Sequence, residues 1–87
     1  MTNFEDIFII NNAYRISLLE GIIYCKVIGD VYHDSFLAVV ISPKNLTIDI
    51  RVISSIYYSI NKDMVQLITR GDFHHQLTII TNKLKSL

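Results

Sequence analysis

Several features that commonly reveal a protein's chemistry are scarce in this chain of 87 residues. It has a single cysteine, Cys25, which excludes an internal disulfide and favours a reducing compartment. Its three glycines, Gly21, Gly29 and Gly71, lie far apart, so they do not form the glycine-rich turn that cradles a phosphate. Disulfide-rich secreted domains and nucleotide-binding loops are therefore not expected.

Charge is also scarce. Only 18% of the residues are charged, and eight basic residues balance eight acidic ones. Sequence-independent nucleic-acid binders depend on clustered Lys and Arg, so zero net charge argues against that class. Hydrophobic residues make up 51% of the chain, which is much for a domain with so little interior. We therefore expect part of this apolar surface to face another protein, most simply a second copy in a homodimer.

Long apolar runs are missing as well. No run reaches the roughly 18 residues of a membrane-spanning helix, because charged residues and a proline interrupt the longer ones. The first residues, MTNFEDIF, carry acidic side chains where a signal peptide has basic ones. We expect a soluble, cytoplasmic protein with one domain over residues 1–87, no membrane contact and no cofactor.

The residues that are abundant bear on the source of the protein. Isoleucine, asparagine, lysine and tyrosine have AT-rich codons, and together they account for 32 of the 87 residues. An AT-rich genome, such as that of a phage or other virus, would explain this composition. The protein would then be a small accessory protein, which says nothing yet about its mechanism.

The strongest structural signal lies in residues 35–53, SFLAVVISPKNLTIDIRVI. The run from Phe36 to Ile41 is apolar throughout, which is typical of a strand covered on both faces. After a polar break at 42–45, apolar and polar residues alternate with period two, which indicates a half-buried strand. The apolar members of that second run are Leu46, Ile48, Ile50 and Val52. We predict a β-hairpin, with Phe36 and Ile48 as structural residues.

Further elements are predicted on both sides of this hairpin. Strands are predicted over 13–20 and 22–28, rich in β-branched and aromatic residues, although a single helix across 13–28 competes with that interpretation. Met64, Leu67 and Ile68 have helical spacing, so residues 63–70 are the best predicted helix. Alternation over 72–81 predicts a final strand.

Two remaining segments are less regular. Residues 2–10 predict a short helix or turn that leads into a strand, and residues 53–60 have helical spacing. The expected fold is α+β: a small, mostly antiparallel sheet of four to five strands around the 35–53 hairpin, with one or two short helices.

The first functional hypothesis is a small, non-catalytic protein-binding or assembly domain that self-associates. Tyr57 and Tyr58 are its predicted anchors, because aromatic residues are enriched at protein interfaces. A pair that folds back onto the hairpin would indicate a monomer, whereas an outward-facing pair would mark the interface.

The alternative hypothesis is single-stranded nucleic-acid binding through a sheet face. Aromatic rings interleaved with basic side chains can stack on bases and pair with phosphates. The candidate residues are Arg15, Tyr24, Lys26 and Arg70, of which Tyr24 and Lys26 would share a strand face.

The third hypothesis is a metal-dependent enzyme that uses His33, Asp34 and His74, since imidazole and carboxylate groups suit zinc. No HExxH or similar spacing supports it. A nucleophilic enzyme is disfavoured because Cys25 lies in an apolar run, where a thiol is buried and inert, and no serine has the glycine context of a nucleophile elbow.

Overall fold

A five-stranded sheet and one helix make up the described part of the fold. The computed structural model describes residues 10–32, 35–54 and 64–87, with the backbone alone for residues 30–32. The elements are β1 (Ala13–Leu18), β2 (Gly21–Tyr32), β3 (Ser35–Ser42), β4 (Thr47–Ser54), β5 (Val65–Ile68) and α1 (Arg70–Lys85). The strand order is β4-β3-β2-β1-β5, and every neighbouring pair is antiparallel. The predicted α+β fold around the 35–53 hairpin is thus confirmed.

The first two strands form the predicted strand pair, and the competing helix across residues 13–28 is excluded. β2 runs on to Tyr32, beyond the predicted end at residue 28. Its pairing with β3 shifts register between Val27 and Gly29 and again between Asp30 and Tyr32. Such irregularities place an extra residue in one strand. They allow pairing to continue past Gly29, a residue type that commonly marks the end of a strand.

A tight turn joins β1 to β2. Leu18 pairs with Gly21, so only Leu19 and Glu20 lie in the loop. Gly21 has a φ of 134°, which glycine adopts without the steric cost that a side chain would bring. Lys44 Nζ donates to the backbone oxygen of Glu20 at 3.1 Å, which joins this turn to the β3–β4 turn at the same end of the sheet.

Both predictions for the C-terminal third were wrong. The predicted helix over 63–70 is instead β5 from Val65 to Ile68, which pairs with β1. The predicted strand over 72–81 lies entirely within α1. Phe73, Leu77 and Ile80 follow spacings of four and three residues, so the apolar positions of this segment also satisfy a helix. Within the described ranges no helix has the length and apolar character needed to cross a membrane.

A capping box explains where the helix begins. The Thr69 hydroxyl accepts from the backbone N–H of Asp72 at 3.0 Å, and the Asp72 carboxylate accepts from the backbone N–H of Thr69 at 3.4 Å. Lys83 and Lys85 lie in the last turn, where positive charge interacts favourably with the helix dipole. Most of the predicted segments 2–10 and 53–60 falls on residues 1–9 and 55–63, outside the described part of the chain.

The two faces of the sheet carry separate buried clusters. The core face holds Tyr14, Ile16, Ile23, Cys25, Val27, Phe36, Ala38, Val40 and Ile53. On the other side, here called the helix face, Ala13 and Ile41 meet Phe73 and Ile80 of α1. β3 contributes buried residues to both clusters, so the prediction of a strand covered on both faces is confirmed for it.

The second strand of the hairpin differs from its prediction. Apolar and polar residues alternate as predicted, but the apolar side is exposed to solvent and not buried. Ile48, Ile50 and Val52 are 37%, 66% and 58% exposed. We call these three residues the β4 stripe. They lie on the helix face, and α1 has its main contacts with β1, β2 and β3, so it stops short of β4. On the core-face side of β4, Ile53 is buried.

Loss of the helix cap should destabilise the protein measurably. We expect Thr69→Ala to lower the free energy of unfolding by about 1 kcal/mol, because the backbone N–H of Asp72 loses the hydroxyl oxygen that accepts from it. Urea unfolding followed by circular dichroism measures the change. Thr69→Ser is the matched control, since it keeps the hydroxyl and should remain close to wild type. Equal stability of the Ala and Ser variants would contradict the capping role.

Candidate functional site

The outer strands of this sheet are the places where a further strand could pair with it. Among the described strands, β4 and β5 each have a neighbour on one side only. An edge strand presents unpaired N–H and C=O groups, which form a template for pairing with a further strand. The character of each edge therefore decides what the domain can bind.

The β4 edge combines length with exposed apolar side chains. The register places Ile48 opposite Ile41, Ile50 opposite Val39 and Val52 opposite Leu37 on β3. The apolar surface thus continues from the buried Ile41, which packs with the α1 cluster, outward to the exposed β4 stripe. A continuous apolar patch at the rim of a small domain is typical of an interaction site.

The opposite side of β4 carries charge. Asp49 and Arg51 project from the core-face side, and Arg51 Nη2 donates to Asp49 Oδ2 at 2.8 Å. Both side chains are about half exposed. A pair this accessible to water contributes only about 0–1 kcal/mol to stability. Its two members can therefore exchange partners at small cost.

The β5 edge is shorter and has less exposed apolar surface than the β4 edge. It has four residues, and its exposed apolar side chain is Leu67. On the helix face Gln66 accepts a hydrogen bond from Arg15 Nη1 at 3.4 Å. The eight-residue β4 with three apolar side chains in a row is the better candidate.

The predicted anchors Tyr57 and Tyr58 lie outside the described ranges, and they stay predictions. The alternating pattern of the β4 stripe could be recognised in the sequence, but the exposure of its side chains to solvent could not be predicted from it. Exposure depends on where α1 packs, and no pattern within residues 46–53 carries that information.

The structure places the predicted nucleic-acid residues as follows. Arg15 pairs with Tyr24 and Ala13 with Lys26, so the three predicted side chains share the helix face, and Tyr24 and Lys26 lie on one strand face as predicted. Tyr24 is half buried against the α1 cluster, which reduces the ring area open to a base. Arg70 is exposed at the first position of α1.

The predicted metal ligands are only partly described. His74 is exposed on α1, whereas His33 and Asp34 fall in the gap between residues 32 and 35. In the described part of the chain no three His, Cys, Asp or Glu side chains are grouped closely enough to hold an ion. The metal hypothesis gains no geometric support from these residues.

A cavity of about 350 Å³ lies at the turn end of the core face. Leu18, Ile23 and Ile53 give it an apolar wall, and Lys44 and Arg51 bring positive charge. Each cation already has a partner, since Lys44 donates to Glu20 and Arg51 to Asp49. The cavity thus has space for a small molecule, but its two cations are engaged with oxygens of the chain itself.

Cys25 lies in the core cluster with no exposed surface, as the sequence predicted. Burial disfavours the charged thiolate and raises the pKa of the Cys25 thiol from 9.0 to about 12. At neutral pH the thiol is therefore protonated, and the thiolate form that reacts as a nucleophile is scarce.

No protein-family model matches the chain, and neither a curated protein nor a solved structure is significantly similar to it. The geometry of the described residues is therefore the evidence that bears on function. Among them the β4 edge is the feature that most resembles a binding site.

The raised pKa of Cys25 predicts a specific loss of stability in alkali. The unfolded thiol ionises near its ordinary pKa while the folded thiol stays neutral to about 12, so stability falls as pH rises from 9 toward 12. Between pH 8 and pH 10 we expect the wild type to lose about 1.4 kcal/mol more than Cys25→Ala. Urea unfolding of both proteins at the two pH values measures this, and the comparison cancels the titration of Tyr and Lys. Parallel losses would contradict a buried neutral thiol.

Proposed function

We propose that this protein is a small, non-catalytic binding and assembly domain that joins another polypeptide through the β4 edge. The observation that supports the proposal most directly is the β4 stripe: three adjacent β-branched side chains that α1 leaves uncovered on an edge strand. The low charge of the chain and its apolar composition agree with such a role.

The size of the stripe indicates how binding occurs. Its exposed surface amounts to roughly one and a half aliphatic side chains, whose burial contributes on the order of 3 kcal/mol. Association costs roughly 4–15 kcal/mol in lost freedom of motion, so contact with the stripe alone is insufficient. Addition of a strand to β4 supplies main-chain hydrogen bonds as well as side-chain contacts, and it accounts for the use of an edge.

Tyr57 and Tyr58 belong to the proposal as predicted anchors. They follow the end of β4 at Ser54 closely in sequence, and we propose that they extend the same contact. Aromatic side chains at that position would add the apolar area that the stripe lacks.

Site-specific photo-crosslinking tests the proposal. The photoreactive residue p-benzoylphenylalanine replaces Ile50 in the stripe or, as a control, Leu19, which is fully exposed in the β1–β2 turn. We expect covalent protein adducts from position 50, with purified protein or in the native cells, and few from position 19. Absence of adducts at position 50 in both settings, or equal yields at the two positions, would refute a binding role for β4.

Single-stranded nucleic-acid binding is the second candidate, favoured by the register that brings Arg15, Tyr24 and Lys26 to one face. If it holds, a labelled oligonucleotide at low salt will raise its fluorescence anisotropy on addition of protein, and the change will weaken steeply with salt. Arg15→Gln with Lys26→Gln should then abolish the change without altering adducts at position 50. No anisotropy change at low salt would eliminate this candidate.

A further inference from the structure

We infer that the partner at the β4 edge is a second copy of this chain, paired β4 to β4 in an antiparallel register centred on Ile50. The inference rests on the proposed function, because it requires that β4 bind protein. It goes beyond that function by specifying the partner and the residues that face each other.

The charges on β4 are self-complementary about Ile50. Antiparallel pairing about a two-fold axis through this residue places each side chain opposite the one equally far on the other side. Asp49 then faces Arg51 of the second copy, and Arg51 faces Asp49 of the second copy. Both groups already lie on the same side of the sheet and are about half exposed. Opposite charges directly across two strands stabilise their pairing.

The apolar side of β4 is complementary in the same register. Ile50 faces Ile50 of the second copy, and Ile48 faces Val52. All three stripe residues therefore gain a β-branched neighbour on the helix face, where directly opposed side chains lie about 4.5–5.5 Å apart. Because α1 packs mainly on β1, β2 and β3, it leaves the β4 row clear for this lateral packing.

Every other antiparallel register loses either the pairing of opposite charges or the pairing of the apolar stripe. The two-fold axis is perpendicular to the sheet, and directly opposed residues of an antiparallel pair point to the same face. The axis must therefore lie midway between one residue and the same residue of the second copy, which we describe as an axis through that residue. An axis through Asp49 or Arg51 brings like charges directly opposite each other, which is destabilising. An axis through Ile48 or Val52 leaves one end of the stripe without a partner. The axis through Ile50 satisfies both faces.

Charge reversal tests the register with purified protein. Sedimentation equilibrium should show wild type forming a dimer of twice 10.0 kDa as its concentration rises. Asp49→Arg alone and Arg51→Asp alone place like charges across the interface, so each should weaken dimerisation about tenfold or more. An equimolar mixture of the two variants should recover a mixed dimer of near wild-type affinity, because each chain then faces opposite charges.

The mixture isolates the contact between chains. Neither single variant can form the ion pair of residues 49 and 51 within its own chain, so recovery in the mixture can come only from pairs across the interface. The double variant Asp49→Arg with Arg51→Asp should also dimerise. Lys83→Glu is the control, since it shifts net charge as Arg51→Asp does but lies in the last turn of α1. Circular dichroism verifies that each variant is folded.

The outcomes separate the register from the function. A wild-type dimer that the mixture fails to restore would overturn the Ile50 register and leave β4 as a binding edge. A wild type that stays monomeric while position 50 forms adducts with a different protein would overturn the second copy as partner. A monomer with no adducts at position 50 would refute the proposed function itself.

Discussion

Among the described elements, the structure depends on a difference in width between α1 and the five-stranded sheet on which it packs. α1 is about 10–12 Å across with its side chains, whereas five strands spaced about 4.8 Å apart span roughly 19 Å between their outer axes. Phe73 and Ile80 pack with Ala13 and Ile41, which fixes the helix over the inner strands. A row at the rim of the helix face must then remain uncovered, and that row is the β4 stripe.

Local sequence pattern explains why some of the fold could be predicted and some could not. β1 to β4 were predictable because β-branched residues and period-two alternation agree along each strand. In the C-terminal third the two periods overlap: Phe73 and Leu77 fit both an alternating strand and a helical face. The deciding signal was local, since Thr69 and Asp72 form a capping box at the spacing that marks a helix start.

Prediction of the exposed β4 stripe, the proposed binding edge, required a third kind of information. Alternation in β4 correctly separates Ile48, Ile50 and Val52 from Asp49 and Arg51. Which of these two sides is buried depends on the placement of α1, which is distant in sequence. An apolar row on a strand is ordinarily assigned to the core, and here it is the charged side that shares a face with the larger buried cluster. Tertiary packing, not local pattern, makes the apolar row accessible.

The pairing of β5 with β1 also bears on the order in which the sheet is completed. Ala13 pairs with Ile68, so this contact closes a loop of more than fifty residues, while β1 to β4 are joined by short-range pairing in sequence order. Local pairs form faster than distant ones, because closing a long loop costs entropy before its contacts are made. Among the described strands, β1 thus stays an open edge until the last third of the chain has emerged from the ribosome. The C-terminal segment then supplies both β5 and the helix that covers the helix face. Once it has paired with β1, the open edges among the described strands are β4, which carries the stripe, and the short β5.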